Sequence, residues 1–439
     1  MINAILETLF DILQSHSTFA DFLLLFTPFI LLLELPLLFM VILGMFIWAK
    51  KEQKRVAFPK NMPKVTCTLL CYSEGENIIE PIYSLAHQLY PGEIEILVVI
   101  DGALANKKTH NVALHLKNEI NALQNRELKV IPKYKRGGRV SSMNLGMQLA
   151  SGEIFMALDG DTTFDNDMVI KAVQNFDNPD VVAVAGNLRV KNAKESLATR
   201  LQAIEYMLSI TAGRTGLSSF NMVNNISGAF GIFRIEILKL LMGWDSGTAE
   251  DFDITMRLKE HFAMYPNWRI VFDPHVIGHT EVPSTLLGFF QQRIRWEGDL
   301  FYILIRKYIN NIRPSLLGGL NYLFTLVGVY FFQIIMPFVI TLYTILMLIF
   351  VPFNYLLGLS IIVYAFYFMM LLIFYILYIF LISERPKEDL EYVLYLPLFP
   401  IFTYTARINA ALALLHSIIN KSHLDSNMAP WWVLKKGNY

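Results

Sequence analysis

Ile154-Phe155-Met156-Ala157-Leu158-Asp159-Gly160-Asp161 is the stretch that decides the fold. An apolar, strand-like run ends in two carboxylates separated by one glycine. In an α/β sheet the strand ends are where ligands bind. Two such carboxylates suit a hard divalent cation, Mg²⁺ or Mn²⁺, which takes carboxylate oxygens together with substrate phosphates in preference to an all-protein cage. Asp and Gly at a strand end are also ordinary turn chemistry, so the weight of the motif depends on its surroundings.

Working outward, residues from about Val56 to Val282 alternate short β-branched runs with polar helical stretches, the pattern of a parallel sheet covered by helices. Strands are expected at Val65–Leu70, Ile94–Ile100, Leu128–Ile131, Ile154–Leu158, Val181–Ala185 and Arg269–Phe272. Helices are expected at Asn77–Gln88, Thr109–Leu123, Val140–Ala150 and Met168–Asn175. Beyond this domain the composition changes. Phe22 to Trp48 is almost wholly apolar and exceeds the roughly 20 residues that cross a bilayer. Lys50, Lys51, Lys54 and Arg55 follow it, which puts that end and the domain after it in the cytoplasm. The basic cluster follows the apolar run and no cleavage pattern comes after, so a retained transmembrane helix is expected rather than a signal peptide.

From Pro283 to Ile309 aromatic and aliphatic residues mix with Arg293, Arg295, Arg306 and Lys307, as in helices lying among headgroups. Leu316–Val351, with Pro337 inside, is one kinked span or two closely joined ones, and Tyr355–Ile382 is a further span. Tyr392–Ile419 carries Pro397, Pro400 and Arg407 and is followed by Lys421, Lys435 and Lys436, which favours an interfacial or re-entrant segment. The expected division is therefore 1–55, 56–282, 283–313, 314–419 and 420–439.

Bulk properties agree with a membrane protein: of 439 residues 54% are hydrophobic and 17% charged, with a mean hydropathy of +0.42. Lys+Arg and Asp+Glu are equal at 37 each, so no global basic field points to nucleic acid. Cys67 and Cys71 sit in a segment read as intracellular and supply too few thiols for a disulfide framework or a four-ligand zinc site.

Three further motifs surround the Asp-Gly-Asp. Ile96–Ile100 runs into Asp101-Gly102, where a carboxylate can accept hydrogen bonds from a base or ribose and the glycine lets the chain turn away. Thr248-Ala249-Glu250-Asp251 opens a helical stretch; adjacent acids there can cap the helix, or one can act as the base that takes a proton from an attacking hydroxyl. Gln292-Arg293-Ile294-Arg295-Trp296 offers a flat indole for a sugar ring and arginines for a leaving diphosphate, although Trp and Arg also anchor helices at membrane surfaces. Each has an ordinary structural explanation by itself. All four occur in order around one α/β domain flanked by membrane segments.

In that combination the chain resembles the family-2 glycosyltransferases that make extracellular polysaccharides, including cellulose, hyaluronan, chitin and poly-N-acetylglucosamine synthases. The matching residues are Asp101, Asp159 and Asp161, Glu250 and Asp251, and Gln292, Arg295 and Trp296. The resemblance implies an α/β GT-A nucleotide-sugar transferase domain inserted between transmembrane helices, with amphipathic interfacial helices. It also implies roles. Asp101 would contact the uracil of a UDP-sugar, Asp159 and Asp161 the diphosphate and a Mg²⁺ or Mn²⁺ ion, and Asp251, beside Glu250, would be the base. Tyr72, Glu74 and Arg139 would join the donor site; Trp296 would line the acceptor site, with Gln292, Arg293 and Arg295 near the pyrophosphate. Ser227 and Gly228, in Ser227-Gly228-Ala229-Phe230, match a small-residue segment that leaves room for the acceptor.

Arg139 stands where the family has a lysine, Ala249 where it has a threonine, and Cys71-Tyr72-Ser73-Glu74 where Pro-x-Tyr-Asn-Glu is common, departures that bear on donor preference. His275 and His279 are expected to be structural, and Thr280-Glu281-Val282-Pro283 sits where a lid could close over UDP. The expected activity is inverting transfer from UDP-N-acetylglucosamine or UDP-glucose onto a growing β-linked polysaccharide. The expected setting is a bacterial inner membrane, where the polymer crosses the lipid bilayer with an accessory export subunit as partner. Two other functions share these residues: a non-processive transferase loading one sugar onto a polyprenyl phosphate or lipid, and a non-enzymatic receptor with a decayed transferase domain.

Overall fold

The computed structural model describes residues 34–55, 58–245, 248–350 and 352–420. The first part of the expected N-terminal span, 22–33, and the basic tail with Lys421, Lys435 and Lys436 lie outside the described residues. The described strands are β1 (Val65–Cys71), β2 (Ile94–Asp101), β3 (Arg126–Lys133), β4 (Ile154–Asp159), β5 (Thr163–Phe164), β6 (Val181–Val190), β7 (Phe230–Arg234) and β8 (Arg269–Thr280). They form one sheet in the order β3-β2-β1-β4-β7-β6-β8-β5.

β3, β2, β1 and β4 run parallel, as the sequence pattern predicts. The sheet is nevertheless mixed, because β7 enters antiparallel between β4 and β6 and β5 pairs antiparallel with β8. β7 escapes a reading by composition because Gly228 and Gly231 depress the strand signal around it. Both sheet faces are covered. Cys67, Leu69, Met156 and Leu158 face one apolar cluster with α2 (Ile79–Ala86), α3 (Lys107–Asn121) and, between β5 and β6, α5 (Met168–Asn175). Leu70, Phe155 and Ala157 face the other, with α4 (Gly138–Leu149) and α8 (Glu250–Lys259). This alternation follows the two-residue repeat of a strand. Burial of β1 and β2 along their whole length explains why they read as near-continuous apolar runs.

The membrane-side elements are α1 (Leu35–Glu52), α6 (Leu197–Glu205), α7 (Arg214–Ser218), α9 (Leu286–Ile303), α10 (Gly319–Phe350), α11 (Phe353–Leu381) and α12 (Pro386–Ile419). A π-helical stretch, Tyr206–Gly213, joins α6 to α7. α1 and α7 meet so closely that a Cβ on Gly44 would strike the Gly216 backbone and a Cβ on Gly216 the Val41 backbone. Arg55, just past α1, donates to Asp273 at 2.9 Å and to Gln174 at 2.6 Å, tying that helix to the sheet domain. On the other side Arg189 of β6 pairs with the fully buried Asp389 of α12, which also accepts from Tyr378 at 2.7 Å.

Among the described residues, α10, α11 and α12 are long and apolar enough to cross a membrane. α10 is one helical run rather than two, and it passes through a π-helical stretch, Thr325–Ile335, just before Pro337. Proline removes a donor and crowds the preceding turn, and a wider turn accommodates both. The Tyr392–Ile419 segment, read from sequence as interfacial, belongs to the 34-residue helical run of α12, which by length and composition could span.

Candidate active site

Both ends of the donor motif are built by the sheet. β1 is hydrogen-bonded between β2 and β4, so Asp101 and Asp159 emerge at the same edge. Gly102 takes a φ of +65°, turning the chain away from the strand at once. The Asp101 carboxylate accepts from Lys133 Nζ at 2.7 Å and from the backbone of Gly137 and Gly138 at 2.8 Å each. It thereby caps the positive end of α4 and fixes the loop that carries Arg139. A uracil contact would have to use the acceptor capacity left over. Tyr72 lies nearby on the other side of this loop, with the Arg136 guanidinium 4.0 Å from its ring centre.

Arg139, in the first turn of α4, ties the site together. It pairs with Asp159, reaches Glu250 Oε1 at 2.7 Å and donates to the Gly228 carbonyl. A lysine presents its three donors from one tetrahedral nitrogen and could not hold three spread partners in a plane, so the departure from the family pattern has a structural meaning. Gly160 is required between the two carboxylates: a Cβ there would lie 2.8 Å from the Leu70 carbonyl and 2.9 Å from Cys71 Sγ. Glu74 accepts from the Tyr72 amide at 2.7 Å and faces the same carboxylates. Loss of water around its carboxyl, with Asp161 and Asp159 adding to it, raises the Glu74 pKa. Asp161 is likewise raised by desolvation of its carboxyl and by Asp159.

Among the described residues no three His, Cys, Asp or Glu side chains gather as a self-sufficient metal cage. Mg²⁺ and Mn²⁺ need only one or two carboxylates when phosphates complete the shell. The mutual repulsion of Asp159, Asp161 and Glu74 leaves this edge short of positive charge, so Asp159 and Asp161 fit the donor set of such an ion.

The base candidate is placed by α8. Ala249 precedes the helix in the left-handed region, φ +44°, and offers no side-chain cap; Asp251 Oδ1 instead accepts from the first-turn amide of Phe252 at 2.7 Å. Glu250 is buried, and burial raises its pKa against the pull of Arg139. Asp251 Oδ2 accepts from Asn225 Nδ2 at 2.9 Å and lies 3.4 Å from the Gly228 amide. Gly228 leaves the wall open: a Cβ there would lie 3.0 Å from Glu250 Oε1 and 3.5 Å from Asp251 Cβ. Ser227 sits beside it in the turn that leads into β7, accepting from Phe230 N at 3.0 Å.

α9 closes the other side. Trp296 remains 38% exposed, and Arg293 lies 4.7 Å from its ring centre while donating to Glu205 at 2.8 Å. Arg293 is thus committed to α6. Arg295 and Gln292 lie on the same helix, and Asp299, one turn beyond Arg295, is buried against Thr248, Arg295 and Asp251. Burial pushes the Asp299 carboxyl up to about 6. Sequence reading missed Asp299, Asn225 and Arg214; only the spacing of Asp299 on one helix face with Arg295 and Gln292 offered a signal.

One expectation changes and one holds. Thr280–Pro283 is not free to act as a lid: Asn192 bonds both the amide and the carbonyl of Val282, at 3.0 and 2.9 Å, and Gln202 donates to the Pro283 carbonyl at 2.8 Å. His275 and His279 face Glu52 at 3.1 Å and Asp165 at 2.8 Å, structural pairs at the edge of the sheet domain.

A mixed sheet carrying an Asp-x-Asp at its edge, an acidic pair on a facing helix and a tryptophan on an interfacial helix defines a GT-A-type sugar transferase. The chain belongs to glycosyl transferase family group 2, whose model matches residues 154–383, more than half of it. It is similar to the poly-beta-1,6-N-acetyl-D-glucosamine synthase of Staphylococcus epidermidis, 30% identical over 58% of this chain and 58% of the relative. The enzyme of the same name from Staphylococcus aureus strain COL is 29% identical over 57% of this chain and 58% of its own length. The chain thus spans little more than half the length of the curated relatives it matches. In fold it is similar to a mannosyltransferase of Pyrobaculum calidifontis solved with GDP-Man and Mn²⁺: TM-score 0.52, 20% identity, covering 88% of this chain and 96% of that one.

Proposed function

We propose that this glycosyltransferase is an inverting, processive enzyme of the bacterial inner membrane, facing the cytoplasm. It transfers N-acetylglucosamine from UDP-N-acetylglucosamine onto a growing β-linked polysaccharide that crosses the membrane as it lengthens. The observation that carries this reading is the Arg139 bridge, which draws Asp159 of the donor motif and Glu250 of the acidic pair to one guanidinium, with Asp251 alongside. The choice of sugar rests on the staphylococcal relatives.

Asp159 and Asp161 would hold a Mg²⁺ or Mn²⁺ ion, which when bound offsets the negative charge of the diphosphate. Asp251 takes the proton from the acceptor hydroxyl as its oxygen attacks the anomeric carbon. The bond to UDP breaks on the opposite face, its electron pair leaves with UDP, and the configuration inverts. Arg295 supplies positive charge near the leaving diphosphate. Passage of the polymer is supported by polar groups between the membrane helices: Tyr367 donates to Glu34 at 3.0 Å, and Arg407 donates to the Phe332 carbonyl at 2.9 Å. Charged and polar groups within membrane-spanning segments usually mark a pathway.

Membranes containing the protein should incorporate radiolabel from UDP-N-acetylglucosamine into high-molecular-weight glycan sensitive to a linkage-specific hydrolase. Single-sugar glycolipid as the only product would overturn processivity, and turnover undiminished in Asp251→Asn would overturn the assignment of the base.

A further inference from the structure

Resting on the transferase reading above, we propose that Arg214 and Asn225 bind the acceptor sugar and hold its attacking hydroxyl against Asp251. Neither residue belongs to the motifs that point to the donor. Asn225 lies in the loop leading to β7, and its amide nitrogen donates to Asp251 Oδ2 at 2.9 Å. That bond fixes which way the amide faces. Its carbonyl oxygen Oδ1 is buried and has no partner within the protein.

Arg214 opens α7, and its Nη1 is likewise buried with no protein partner. Asp251 is the carboxylate whose charge acts on it. The backbone under Arg214 is held firmly, since Gly216 two residues on is pressed against Gly44 of α1. Asn225 therefore holds one free acceptor, Oδ1, on an amide bonded to Asp251, and Arg214 holds one free donor, Nη1, near enough for the Asp251 charge to act on it. Buried polar groups are rarely left without partners. A carboxylate with a free acceptor and a free donor in its neighbourhood matches a vicinal pair of sugar hydroxyls: one gives its proton to Asp251, while the other donates to Asn225 and accepts from Arg214. Gly228 keeps the adjoining wall free of a side chain, leaving room for the ring. A diphosphate fits this corner poorly, because Asn225 Oδ1 and Asp251 would both oppose its charge.

The test uses the full-length protein in detergent with UDP-N-acetylglucosamine, measuring transfer to a soluble N-acetylglucosamine oligosaccharide and donor hydrolysis to water. In Arg214→Gln and Asn225→Ala the acceptor KM should rise, and the ratio of transfer to hydrolysis should fall, by about tenfold or more. Arg214→Lys, which keeps a donor, should recover part of that ratio. Transfer and hydrolysis falling in parallel, or an unchanged acceptor KM, would overturn the inference while leaving the transferase reading intact. Wild-type protein that consumes no UDP-sugar would instead remove the transferase reading, and this inference with it.

Discussion

The donor side and the acceptor side of the site are finished in opposite ways. On the donor side Asp101 accepts three hydrogen bonds from its own loop, and Asp159 and Glu250 share Arg139. On the acceptor side Asn225 Oδ1 and Arg214 Nη1 are buried without protein partners. The first arrangement suits a highly charged ligand, because the protein's charges are already positioned and need only be redistributed. The second suits a neutral, hydroxyl-rich ligand, because single hydrogen-bonding atoms are held ready where the charges of Arg214 and Asp251 oppose each other.

This contrast can be broken at several points. The largest effect is expected from Asp251→Asn, which keeps the shape but removes the base: UDP release should fall by about 10²–10⁴-fold with the fold retained. Arg139→Lys comes next. It keeps the charge but cannot bridge Asp159, Glu250 and Gly228 together, so donor KM should rise about tenfold or more, with a smaller change in acceptor KM. An equal rise in both would mean that the two sides are not separable. Gly228→Ala places a methyl 3.0 Å from Glu250 Oε1. It should cost about 1–3 kcal/mol in stability or transition-state binding, read as a lowered unfolding temperature or kcat/KM.

The smallest effect concerns pH. Asp299 prefers its neutral form in the folded protein, titrating near 6 against an ordinary value of 3.8. Its contribution to stability is therefore present below about pH 4 and lost as pH rises through about 6. Asp299→Asn should gain on the wild type across that window, by at most about 3 kcal/mol, in thermal unfolding at pH 4 and pH 7. A constant difference between the two would remove Asp299 from the interior of the site.

Much of the parallel half of the sheet was legible, since β1, β2 and β4 are short apolar runs ending in turn chemistry and buried on both faces. The helix Met168–Asn175 has the bounds its pattern predicts. β7 was not legible, because its pairing with β4 and β6 outweighs the weak strand signal of a glycine-rich stretch. The acids Asp101, Asp159, Asp161, Glu250 and Asp251 were visible as residues, but the loop-holding work of Asp101 and the bridging work of Arg139 were not.

By itself the sequence determined the kinds of chemistry present: carboxylates at strand ends, an acidic pair opening a helix, a tryptophan among interfacial arginines, and spans too apolar for water. Those features are local, fixed by residue type and by periods of two or a little under four residues. Tertiary structure alone decided who faces whom. Arg139 meets Glu250 across 111 positions of chain, and Asn225 meets Asp251 across 26. Such pairings are set by the order of strands in the sheet and by the seating of α4 and α8, and no local pattern encodes them.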